Sequence, residues 1–132
     1  MEHEKALAEL RLIWVALIAV IPVAPIAVVF ALASAPAPAP APWSDWLLWV
    51  AVLSSAASWP QITRFRRLRE RTPRSLENLA RLRQTLLIGV GLAELPVMLG
   101  ILHYALTKDL QVLAGLVALS MLLAFAFRPP KA

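Results

Sequence analysis

The chain has 132 residues, 60% of them hydrophobic, and a mean hydropathy of +0.70, which excludes an ordinary water-soluble domain, whose apolar share is roughly 45 to 50%. Cysteine is absent and His3 and His103 are the only histidines, so the chain offers no disulfide framework, cysteine nucleophile, zinc cluster or paired haem ligands, and no cofactor or metal is expected. The net charge of +5 would suit nucleic acid, but eight arginines crowd between Arg64 and Arg83 beside apolar runs, with only Phe65 as an interleaved aromatic; this reads as a collar against membrane lipids, not a nucleic-acid surface.

Met1 to Glu9 is a short charged start, and after Arg11 the stretch Leu12 to Ala33 carries no charge. It is long enough to be a first membrane span. Ala33, Ser34 and Ala35 form an A-x-A pattern, yet the apolar run is too long for a cleaved leader and Pro36 follows the would-be cut, so the segment is expected to be retained. Pro22 and Pro25 each remove a backbone donor, which predicts a mid-span kink. From Ala35 to Pro42 alanine alternates with proline, a stiff polyproline-like spacer of about 25 Å at roughly 3.1 Å per residue.

Trp43, Trp46 and Trp49 recur every third residue, as interface anchors do. The second span is expected over Trp46 to Ile62. Its centre, Ser54 to Ser58, is built of small residues, so another helix can approach closely; the hydroxyls of Ser54, Ser55 and Ser58 can bond across that contact, back to their own helix, or to an acid on the next span. The loop from Thr63 to Arg83 is the only long polar stretch. Within it Arg64, Arg67 and Arg71 share a helical face that suits lipid phosphates or an acidic partner. Thr72 and Pro73 have the chemistry of a helix cap and first position, placing the start of the next helix near Pro73.

Gln84 to Leu106 is the third span, and Glu94 stands at its middle with no Lys or Arg at the same depth. A carboxylate there is costly, and by default marks a proton or cation site or a polar contact between helices. Gly89, Gly91, Ala93 and Gly100 surround it with small residues, Gly89 and Ala93 at the small-xxx-small spacing, and Pro96 frees backbone close by. His103 and Tyr104 follow near the far surface, most simply as interface residues. A turn at Thr107 to Asp109 leads to a fourth span, Leu110 to Phe127, ended by Arg128, Pro129 and Pro130. Twelve of the thirteen positive charges lie at the two ends and in the 63–83 loop, with Lys108 alone opposite. The expectation is an all-α, single-domain integral membrane protein of four transmembrane helices with both termini cytoplasmic.

Residues 89 to 101, G-x-G-x-A-E-x-P-x-x-x-G-I, resemble the ion-carrying helix of the proteolipid (c) subunits of rotary ATP synthases, where a glycine five residues before the essential acid and another six after it flank it, as Gly89 and Gly100 flank Glu94. The family's acid-bearing helix also leaves a basic cytoplasmic loop. The resemblance implies that Glu94 carries a proton or cation and that the chain works as a homo-oligomer or within a larger membrane complex. It covers about 25 residues. The chain lacks the family's glycine-rich preceding helix, has Thr85 where the family's loop has proline after Arg-Gln, and adds outer spans; its general pattern is also similar to small four-span proteins of bacterial inner membranes.

Two further readings stand beside this one. One is a non-catalytic accessory or scaffold subunit in which Glu94 bonds a neighbouring helix; the other, the weakest, is a small proton-coupled exporter. Enzymatic chemistry is not expected, because no nucleophile has a base in range and no phosphate-binding loop or catalytic carboxylate pair is present.

Overall fold

A computed structural model of the chain describes residues 2–36, 42–70 and 76–130, and these are all-α, without a strand. Most of the Ala/Pro spacer, and Arg71, Thr72 and Pro73, fall outside the described residues.

The first apolar stretch folds as α1 (Glu2–Val20) and α2 (Val23–Leu32). They break at Ile21–Pro22, because Pro22 has no N–H to return to the carbonyl four residues back. The ladder tightens there, Ile21 N–H reaching Ile18 O at 3.2 Å, and resumes with Ile26 N–H on Pro22 O at 3.1 Å. Of the two prolines expected to bend this stretch, only Pro22 interrupts it. Pro25 sits in the first turn of α2, where a helix has donors without partners anyway.

The second stretch is α3 (Ser44–Ser54), a 3₁₀ turn (Ser55–Ser58) and α4 (Trp59–Glu70). It runs beyond Ile62 into the arginine-rich region as helix. Two local causes tighten its middle. Pro60 lacks the donor that would reach Ala56, and three serine hydroxyls donate to the carbonyls three residues behind them: Ser54 to Ala51 at 2.6 Å, Ser55 to Val52 at 2.6 Å and Ser58 to Ser55 at 2.8 Å.

The third stretch comprises α5 (Leu76–Ala93) and α6 (Leu95–Thr107), meeting at Glu94. A tight turn follows in which Lys108 adopts the left-handed conformation, φ 54° and ψ 30°, with its N–H on Tyr104 O at 2.7 Å. Asp109 then caps α7 (Leu110–Phe125) by accepting the Val112 N–H at 3.2 Å.

The α5–α6 stretch is the axis of the molecule. Helix α3 packs on α6 and α4 on α5, so the second stretch runs antiparallel to it; α1 lies against α5 and α2 against α6, running parallel; α7 returns along both. The densest core lies towards one end, where Phe65, Leu82, Leu86, Val90 and Phe127 are fully buried. Phe65 and Phe127 meet edge to face with centroids 5.5 Å apart.

At that same end the arginines collect. Arg83 meets Glu9 at 3.5 Å and Arg81 meets Glu77 at 3.0 Å, exposed pairs worth about 0 to 1 kcal/mol each. Arg11 donates to Pro130 O and Arg69 to Arg128 O, each at 3.1 Å. Lys108 lies at the opposite end. Elsewhere the exterior is apolar: Phe30 is 78% exposed, Trp46 76% and Leu53 68%. Two helical stretches, Glu2–Leu32 (31 residues) and Leu76–Thr107 (32 residues), are long and apolar enough to cross a membrane.

Candidate functional site

Glu94 occupies the joint between α5 and α6. Its N–H is shared between Val90 O at 3.1 Å and Gly91 O at 3.3 Å, and its carbonyl accepts from Met98 N–H at 3.0 Å, so the helix passes through the joint without unwinding. The interruption has one source. Pro96 supplies no donor to the carbonyl of Leu92, and its ring crowds that turn.

The carboxylate is half-buried and makes no hydrogen bond or ion pair among the described residues. Its helical neighbours explain its position at a border. Val90, Ala93 and Val97 are buried on one side; Gly91 and Met98 are exposed on the other, Met98 by 62%. A Cβ added at Gly91 would meet nothing within 4 Å, so the surface beside the acid is open.

The small residues around Glu94 have separate positions. Gly89 lies under the ring of Phe127, which occupies the space where a side chain would project, and Gly100 lies under Leu116, whose Cδ1 would stand 2.9 Å from an added Cβ. Both glycines are therefore filled from within the chain by α7 and its C-terminal extension. Ala93 and Pro96 are buried, and Gly91 alone of the three glycines near the acid is uncovered.

Ser54, Ser55 and Ser58 do not donate to Glu94; their hydroxyl protons are committed to their own helix. His103 is buried. Thr107 Oγ1 donates to His103 O at 2.9 Å, accepts from Asp109 N–H at 3.2 Å, and stands 3.2 Å from His103 Nδ1. With the single hydroxyl proton spent on the carbonyl, Nδ1 is the donor in that last contact. Nine residues separate His103 from Glu94 on one helix, about 13 Å along the axis at about 1.5 Å per residue, on the opposite face. The imidazole is out of reach of the acid.

Arg64 and Arg67 are exposed on α4, and Arg71 lies outside the described residues. Among the described residues no group of three or more His, Cys, Asp and Glu is arranged to hold a metal ion.

Several residues that position this region carry no local signal. Phe127, fully buried on Gly89, belongs to a tail whose sequence reads only as the end of a helix. Trp14 Nε1 donates to Ala124 O at 3.0 Å, and Lys108 Nζ donates to Leu32 O at 2.8 Å and to Ala35 O. Ser120 is fully buried with no hydrogen-bond partner among the described residues. No family model, curated protein or solved structure matches the chain.

Proposed function

We propose that this is a four-span membrane protein in which Glu94 binds a proton or cation and engages a group from outside the chain, as in a proteolipid-like subunit of an oligomer. The observation that carries this reading is the unpartnered carboxylate at the joint of the central apolar helix, beside the open surface of Gly91 and Met98. A carboxylate in an apolar environment is stable only with a proton, a cation or a hydrogen-bonding partner. Where none is supplied by the described residues, an ion or another subunit has room to supply it.

Four spans are supported by the second stretch and α7 lying alongside the two long apolar stretches and by the apolar exterior. The gathering of the first turns of α1, the arginines of α4 and α5 and the carboxyl end at one pole favours a cytoplasmic location for both termini. On this reading the chain is a single membrane domain.

A second reading, a non-catalytic accessory subunit whose Glu94 bonds a partner's helix, is favoured by the filling of Gly89 and Gly100 from within the chain, which removes them from contact between copies.

The test is proton and cation flux in liposomes, paired with native mass spectrometry of the assembly. Under the first reading Glu94→Gln abolishes flux and leaves the assembly's mass unchanged. Loss of assembly with Gln, or absence of flux in the unaltered protein, replaces it with the accessory reading.

A further inference from the structure

We propose that the cleft between α4 and α5 lined by Arg64, Arg67 and Arg81 seats the phosphate of an anionic phospholipid, one per chain. The cleft measures about 560 Å³, and Pro60, Thr63 and Leu68 complete its lining. Arg64 and Arg67 come one turn apart from α4; Arg81 comes from the facing helix α5. Sequence spacing alone pairs Arg64 with Arg67, and only the packing of α4 on α5 adds the third guanidinium.

Three arginines lining one cleft offer a donor set for a phosphate, which arginine engages through two N–H groups at once. Neither Arg64 nor Arg67 has an ion-pair partner among the described residues. Arg81 has one, Glu77 Oε1 at 3.0 Å on Nη2, with side chains 47% and 74% exposed. An exposed pair of that kind is weak, and the guanidinium retains further N–H groups for a second anion.

The position of the cleft favours a lipid over free phosphate. Besides the arginines and Thr63, its lining includes the buried Leu68 and Pro60, and Trp59, next to Pro60 in the chain, is 66% exposed. At this point the second stretch changes from the apolar α3 to the arginine-rich α4. If the chain spans a membrane, headgroup phosphates lie at this level, with glycerol and acyl chains towards Trp59 and Pro60. The inference rests on the membrane part of the proposed function and is independent of Glu94.

Native mass spectrometry of the full chain in mild detergent, titrated with phosphatidylglycerol, phosphatidylcholine and inorganic phosphate, tests it. One phosphatidylglycerol is expected to be retained per chain at energies that strip phosphatidylcholine. The double substitution Arg67→Ala with Arg81→Ala weakens that retention at least tenfold, and the milder Arg67→Gln weakens it in part. Arg66→Ala, an exposed arginine of α4 outside the cleft, leaves it unchanged. Thermal unfolding in the same detergent confirms that the variants are folded.

Equal loss with Arg66→Ala, equal retention of phosphatidylcholine, or displacement of the lipid by millimolar inorganic phosphate overturns the proposal. Recovery of the unaltered chain from the soluble fraction would overturn the membrane reading itself, a separate outcome from failure of the cleft.

Discussion

Lys108 Nζ donates to the backbone carbonyl of Leu32 at 2.8 Å across 76 residues of sequence, and to that of Ala35 beside it. Leu32 is the last residue of α2, where helical carbonyls lack intrahelical partners and the end carries partial negative charge. The Leu32 carbonyl also accepts the Ala35 N–H at 3.1 Å, so the ammonium adds a charged donor at the end of α2 and ties the first stretch to the α6–α7 turn. It also gives a structural reason for the one cation that stands apart from the others.

Removing this clamp should be measurable. Lys108→Met keeps the stem and loses the donor, and is expected to lower stability by about 1.5 to 3 kcal/mol, the range for hydrogen bonds from charged groups. Lys108→Gly also loses the donor but relieves a left-handed conformation costing a side chain about 1 kcal/mol, so it should fall between Lys108→Met and the unaltered chain. Thermal unfolding in detergent reads both. An unchanged midpoint for Lys108→Met would remove the clamp from the account.

The two glycines that precede Glu94 should respond in opposite senses. At Gly89 a methyl group falls on the Phe127 ring, so Gly89→Ala must displace a fully buried phenyl group and is expected to cost about 1 to 3 kcal/mol. At Gly91 nothing lies in the way, and Gly91→Ala should stabilise by up to about 1 kcal/mol through helix propensity alone. Combining Gly89→Ala with Phe127→Leu should recover part of the loss. Equal effects at both positions would contradict the packing of Phe127.

What was readable in the sequence is what depends on neighbours within a turn or two. Pro22 and Pro96 announce the interruptions of the first and third stretches, and Asp109 announces the start of α7. Inward and outward faces were not readable in the most apolar helices: α7 is apolar all round, so nothing distinguishes Leu116, 4% exposed, from Leu122, 70% exposed. The prominence of Glu94 was visible from its place in an otherwise uncharged run, but its lack of a partner among the described residues required knowing that the serines 36 to 40 residues earlier bond to their own carbonyls. Arg81 joins Arg64 and Arg67 only through the packing of two helices. Such relationships are properties of the assembled bundle.

Ser120 supplies a test of the interior. Its hydroxyl is fully buried in α7 without a partner among the described residues, and an unmade hydrogen bond at a buried group costs about 1 to 3 kcal/mol. Ser120→Ala is therefore expected to be neutral or stabilising, by up to about 2 kcal/mol, with the mass of the assembly unchanged. Destabilisation of about 1 kcal/mol or more would show that the hydroxyl is bonded, to a water or to a group of another chain.

The carboxyl end is held by groups from the start of the chain. Trp14 Nε1 donates to Ala124 O, while its ring meets Phe125 edge to face with centroids 5.6 Å apart; Arg11 donates to Pro130 O. Trp14→Phe keeps an aromatic ring and removes the donor, so its expected cost is about 0.5 to 1.5 kcal/mol, and Arg11→Met, which loses a charged donor, should cost about 1.5 to 3 kcal/mol. Because both residues fasten one segment, the two losses should not add: once one tie is gone, part of the tail's order is gone with it, and a coupling of about 0.5 kcal/mol or more is expected in the double-mutant cycle. Phe127→Ala, which withdraws the ring from Gly89 and Phe65, should cost about 3 to 5 kcal/mol. Thermal unfolding gives the cycle, and hydrogen exchange at the last turn of α7 locates it. Strict additivity, with unchanged exchange there, would mean that Trp14 and Arg11 stabilise α1 alone and that Phe127 seats itself without them.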